Sequence, residues 1–148
     1  MNPNVKASDQ VTLLETKNPI SQSAATVTTG WIAAKNFAAY LAKLAVGALG
    51  ASATVDAKLE QATDSSGTSA KDITGKAITQ LTKAGTDDNK QVLINLRPEE
   101  LDIAHSFTHF RLSITVGTAA CLIQADVFGL GARYQPATQA TTVDEVVE

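Results

Sequence analysis

The chain has 148 residues and a net charge of −3, with 12 Lys and Arg against 15 Asp and Glu. That length suits one domain with a real core, yet aromatics make up only 5% of it, so Val, Ile, Leu and Ala must fill that core. The weak acidity argues against a nucleic-acid binder, which would carry a basic stripe, and no apolar run approaches the ~20 residues that span a bilayer.

Met1 to Ser21 mixes polar residues with one apolar patch, Val11, Leu13 and Leu14, between Pro3 and Pro19. It reads as an extended arm that pairs as an edge strand or lies on a neighbouring molecule, where these three residues form a partner contact. The alternative is a frayed end. On the arm reading, deleting residues 1–21 leaves a folded domain. The first residues lack the apolar core of a signal peptide, so the expectation is synthesis in the cytoplasm without a membrane anchor.

Ala24 to Ile32 is β-branched and Thr-rich, which suits a strand, with the single tryptophan, Trp31, plugging its end. Phe37 to Leu49 is ambiguous. Phe37, Leu41, Leu44 and Ala48 fall at helical spacing, while Tyr40, Ala42, Leu44 and Val46 alternate. Its neighbours read as strands and its linkers are short, which favours a strand.

Ala53 to Leu81 is the clearest sheet-building unit. Ala53, Val55, Ala57 and Leu59 share one face; Thr54, Asp56, Lys58 and Glu60 share the other. Turn formers follow from Asp64 to Ser69, and the chain returns through Ile73, Ala77, Ile78 and Leu81. Lys83 to Lys90 is a turn. Gln91 to Leu96 is a strand with Val92, Ile94 and Leu96 inward. Pro98 breaks the ladder and suits the first position of a helical turn.

Phe107 to Val116 is a strand with Phe110, Leu112, Ile114 and Val116 inward and His109, Arg111, Ser113 and Thr115 outward. Gly117-Thr118 then suggests a tight hairpin into a strand from Ala119 to about Phe128. Gly129, Gly131 and Pro136 end the ordered pattern. Tyr134 to Glu148 holds three acids and no base after Arg133, a composition that fits a disordered or partner-docked tail.

The elements sum to an all-β chain: an antiparallel β-sandwich or jelly-roll-like fold of six to eight strands with at most one short helix. The expected division is an arm over 1–21, a sandwich over 22–134 and an acidic tail over 135–148.

Chemistry is hard to place on this frame. His105 and His109 are four apart, but residues 105–109 read HSFTH, without the glutamate of a zinc motif, so no metal is expected. Asp87-Asp88 and Glu99-Glu100 sit in a turn and behind a proline. Gly129-Leu130-Gly131 lacks the context of a dinucleotide site. Cys121 lies in an apolar run and reads as a small buried hydrophobe. The reading is a protein that is not an enzyme and takes no cofactor.

The phrases ATVDAKLEQATD, SGTSAKDITGKAITQL, DDNKQVLINLRPEELD, FTHFRLSITV and GARYQPA, spread over Gly30 to Ala137, resemble a family of small structural proteins encoded among the head and tail genes of tailed bacteriophages and prophages. The resemblance implies a virion component and carries no catalytic residues with it. Together with the low aromatic content, it points to a capsid decoration or cement protein on the head surface. The expected partners are the major capsid protein and other copies of the chain. The other readings are a tail or neck component and, from a different class, a carbohydrate-binding β-sandwich module.

Overall fold

In the computed structural model residues 6–147 are described; Met1 to Val5 of the expected arm and Glu148 of the tail lie outside the described residues. One helical turn, α1 (Ala7–Gln10), leads into β1 (Val11–Gln22). Then come β2 (Ala25–Thr28), β3 (Ile32–Ala33), β4 (Phe37–Leu49), β5 (Thr54–Ala62), β6 (Lys71–Ala77), β7 (Leu81–Thr82) and β8 (Gln91–Leu96). Two 3-10 turns, Pro98–Glu100 and Ile103–His105, precede β9 (His109–Gly117) and β10 (Cys121–Ala132).

The strands form two antiparallel sheets. One runs β1-β10-β4-β8; the other runs β2-β9-β5-β6, with β3 extending the β2 edge along β9 and β7 extending the β6 edge along β5. Apart from the β5–β6 hairpin and the breaks inside the two edges, every connection carries the chain from one sheet to the other. That strand order is a jelly roll, the double Greek key of two facing sheets.

Alternation builds the core. Tyr40, Ala42, Leu44 and Val46 of β4 and Ile123, Ala125 and Val127 of β10 face Val55, Ala57 and Leu59 of β5 and Phe110, Leu112, Ile114 and Val116 of β9; all are buried. Each large apolar side chain so placed contributes about 1.5–3 kcal/mol. The few aromatics are concentrated: the Tyr40 ring meets Phe110 edge-on at 4.7 Å and Phe37 at 5.8 Å. Tyr40 donates its hydroxyl hydrogen to the Ala33 carbonyl at 3.2 Å, and burial pushes its phenol pKa up.

The ambiguous stretch 37–49 is a strand throughout. It lies between β10 and β8, with Ala42 beside Val127 and Ile94. Pairing on both sides overrides the helical propensity of its alanines. Gly129 does not end a strand, as the glycine pattern suggested, but lies inside β10. The Phe37 ring sits where its Cβ would be, 2.6 Å away, so only glycine fits beneath that ring.

Two further expectations change. Gly117-Thr118 is not a hairpin: β9 and β10 lie in different sheets, and residues 118–120 carry the chain across. Ser113 is not solvated; it is 3% exposed. It sits mid-sheet, flanked by Thr28 and Lys58, and so small a side chain is sheltered by its longer neighbours. The stretch expected as an arm takes the first of its two expected placements, an edge strand, and so belongs to the sandwich: β1 pairs with β10 from Val11 to Gln22.

Candidate partner-contact surface

The patch at Val11, Leu13 and Leu14 lies at a β-bulge of β1. Leu13 pairs with Phe128 and Glu15 with Val127, so Leu14 is the extra residue. Thr12 points inward and is fully buried, which turns Val11 and Leu13 to the outer face of the four-stranded sheet. Leu14 turns the other way and packs on the core margin, beside Phe37 and Ala137. The sequence grouped the three residues; strand alternation gives Leu14 different neighbours from the other two.

On that outer face the register assembles an apolar surface from three strands. Val11, Leu130 and Ala39 form one row, and Leu13, Phe128 and Leu41 the next. A polar row follows, in which the Thr16 hydroxyl donates to Asp126 at 2.8 Å beside Lys43. Beyond it lies a second apolar area around Pro19, Ile20, Ala45 and Leu122. Leu41, Leu122, Phe128 and Leu130 were invisible as a surface because each belongs to an alternating strand whose other face is core.

The tail returns to this edge. Leu13 donates its N–H to the side-chain carbonyl of Gln139 at 2.8 Å and accepts the Ala140 N–H at 2.7 Å. Gln139 also donates to the Ser8 carbonyl at 3.0 Å. The described part of the tail therefore docks on its own chain.

The outer face of the six-stranded sheet is ionic. Arg111 pairs with Glu60 at 2.8 Å, and Lys58 pairs with Asp72 at 2.7 Å, which holds the Lys58 ammonium pKa above its ordinary value. The Arg111 guanidinium also lies over the Trp31 ring at 4.4 Å. Gly67, at φ +85°, passes so close that its Cβ would lie 2.6 Å from the indole nitrogen. Trp31 is thus an edge plug with one ring face covered by a cation.

The titratable candidates are scattered. His105, at the end of a 3-10 turn, places Nδ1 2.7 Å from Asp102, whose other oxygen pairs with Lys71 at 2.5 Å. His109 opens β9 and meets the Thr108 hydroxyl at 2.9 Å. Among the described residues no three His, Cys, Asp or Glu side chains come together as a metal site would require. Asp88 accepts the Leu49 N–H at 2.7 Å and pairs with Lys83 at 2.6 Å. Glu100 pairs with Lys76 at 2.8 Å and accepts the Arg97 N–H at 2.7 Å. Cys121 is buried and unpaired with any other cysteine. Among the described residues no helix is long and apolar enough to cross a membrane.

No family model, curated protein or solved structure matches the chain.

Proposed function

We propose that this chain is a non-enzymatic structural protein of a bacteriophage virion. It binds the outside of the head and stabilises the lattice of the major capsid protein. The observation that carries this reading is the apolar outer face of the four-stranded sheet, built from Val11, Leu13, Ala39, Leu41, Phe128 and Leu130. A sandwich needs one apolar face per sheet; a second on the same sheet marks a contact with another protein. The resemblance of Gly30 to Ala137 to phage head and tail proteins supplies the context. The jelly roll is compatible with it, since viral capsid domains use that fold, as lectins do; the surface and not the fold carries the argument. The cation-covered ring of Trp31 weighs against the carbohydrate-binding reading, because sugar stacking needs an open aromatic face.

The test is fractionation of phage lysates followed by rebinding. The protein is expected with purified heads, and Leu41→Glu with Phe128→Glu should abolish rebinding to stripped heads while leaving the fold intact by circular dichroism. Recovery with isolated tails would replace the head assignment by the tail or neck one. Binding to a glycan array without binding to particles would overturn the virion reading.

A further inference from the structure

Four strand edges border this sandwich, and three carry features that obstruct pairing with another strand. The β1 edge has two register irregularities, Lys17 and Pro19, and the tail occupies Leu13. The β2–β3 edge is interrupted at Thr29, whose hydroxyl accepts the Leu112 N–H at 3.0 Å in place of a backbone carbonyl. In the β6 edge one residue of β5, Leu59, faces four of β6, Ile73 to Lys76, and Lys71, Asp72 and Lys76 add charge. Such bulges, prolines and charges are the devices that keep edges from pairing.

The β8 edge has none of them. Gln91 to Leu96 pairs in unbroken register with β4 and holds no charge, proline or glycine. Val46 donates its N–H to the Lys90 carbonyl at 2.8 Å. By antiparallel alternation Lys90, Val92, Ile94 and Leu96 then turn their backbone groups to β4. Gln91, Leu93 and Asn95 turn theirs away from the sheet. Leu93 is also 58% exposed, in the middle of this strand.

We infer that β8 is the self-association edge of the protein, pairing antiparallel with β8 of a second copy about a two-fold axis through Leu93. The strand is self-complementary in that register. Leu93 meets Leu93 of the partner copy as a hydrogen-bonded pair, and Gln91 meets the partner's Asn95, amide to amide, on the outer face. Every outward N–H and C=O of the three residues gains a partner, and no charge within the strand opposes a like charge. On the inner side Val92 meets the partner's Ile94. That side opens into a groove of about 440 Å³ between β8 and the β6–β7 edge, walled by Ile78 and Leu81. The axis stands perpendicular to the paired sheet, so the two grooves face each other and each copy closes the other's. An isologous contact of this kind closes as a dimer rather than growing into a fibre.

The test uses the purified chain alone, so its outcome is independent of the virion assignment. Light scattering coupled to gel filtration should give twice the 15.4 kDa chain mass. Leu93→Lys, which sets two ammonium groups face to face on an exposed position, should give the monomer mass with unchanged circular dichroism. Leu93→Cys should form a disulfide-linked dimer under mild oxidation, with buried Cys121 unreactive. A monomeric wild-type protein at 100 μM would overturn the inference. So would an oligomer that Leu93→Lys leaves intact and Leu93→Cys does not cross-link.

Discussion

Leu13 and Gln139 are joined through a hydrogen bond of 2.8 Å from the Leu13 N–H to the Gln139 side-chain carbonyl, across nearly the whole length of the chain. With the Ala140 N–H on the Leu13 carbonyl, this contact satisfies the outward backbone groups at the bulge of an edge strand. The tail thereby covers a position that would otherwise invite another strand. Removing residues 135–148 should lower the melting temperature, since each lost hydrogen bond contributes about 0.5–1.5 kcal/mol. It should also expose the β1 edge, so the truncated protein should self-associate more strongly with concentration. A melt and a concentration series by light scattering measure both effects. A truncation with unchanged melting and association would mean that the tail contact is negligible in solution.

The same strand, an edge as one sequence reading had it, changes the expected outcome of deleting the N-terminus. Because β1 is hydrogen-bonded to β10 from Val11 to Gln22, deleting residues 1–21 removes a sheet edge and uncovers β10. The deletion should abolish cooperative unfolding in a thermal melt; a truncated chain that still melts cooperatively would mean that the sandwich stands without β1.

Leu112 and Ser113 provide the sharpest contrast between sequence and structure. Leu112→Asp should abolish folding, because an unpaired buried carboxylate costs several kcal/mol, comparable to the stability of a domain. Alternation assigned Ser113 to solvent, but at 3% exposure Ser113→Asp should be destabilising as well, by roughly 1–3 kcal/mol. Thr115→Lys, one pleat on and exposed opposite Asp56, loses only the 2.8 Å hydroxyl contact with Thr26 and should cost no more than about 1 kcal/mol. Urea melts of the three variants decide it: a neutral Ser113→Asp would return that face to solvent.

These residues mark what could be read in advance. The period-two pattern fixed which residues of β5 and β9 face the core, and even the alanine-rich β4 yielded to the context of its neighbours. Alternation says which way a side chain points and nothing about how wide the sheet is around it, so the shelter of Ser113 was out of reach. Sheet membership was equally hidden. A short glycine junction serves a hairpin or a crossing between sheets, and only long-range pairing distinguishes the two at Gly117. The contact surface escaped for a related reason: Val11, Leu13, Leu41 and Phe128 come from distant strands and meet only through register. Leu14 left that group because consecutive residues of a strand face opposite sides, which sends it to the core margin while Leu13 faces out.

Thr12 offers a gain. Its hydroxyl is fully buried opposite Gly129 and has no hydrogen-bond partner among the described residues. An unsatisfied buried polar group costs about 1–3 kcal/mol. Thr12→Val keeps the shape and removes the hydroxyl, so it should stabilise the fold by about 1 kcal/mol and raise the melting temperature by roughly 2–4 °C. Thr12→Ser, which keeps the hydroxyl and loses the methyl, should lower it. A melt in which Val is no better than Thr would mean that the hydroxyl finds a partner in solution.

Acid should unfold the protein through a small set of turn and loop carboxylates. Lys83 and the Leu49 N–H hold Asp88 below the usual carboxylate range. Lys71 and then His105 do the same for Asp102, and Lys76 followed by the Arg97 N–H for Glu100. In the loop at the β5–β6 tip, Asp64 is lowered by hydrogen bonding to Thr68. Each is depressed in the folded state relative to an unfolded value of about 3.9 for Asp and 4.3 for Glu. Such groups contribute stability above the unfolded value and lose it as the pH falls through the folded one. The melting temperature should therefore hold steady from pH 7 to about 5 and fall below about pH 4. Asp88→Asn, which cannot ionise, should melt lower than wild type at pH 7, and the gap should close as the pH approaches about 2. The Asp88 contacts tie the 83–90 turn to the end of β4, so hydrogen exchange at the Leu49 amide should quicken in the variant at pH 7 and match wild type in acid. A gap that persists unchanged down to pH 2 would show that the Asp88 carboxylate acts through shape alone and that its charge contributes nothing.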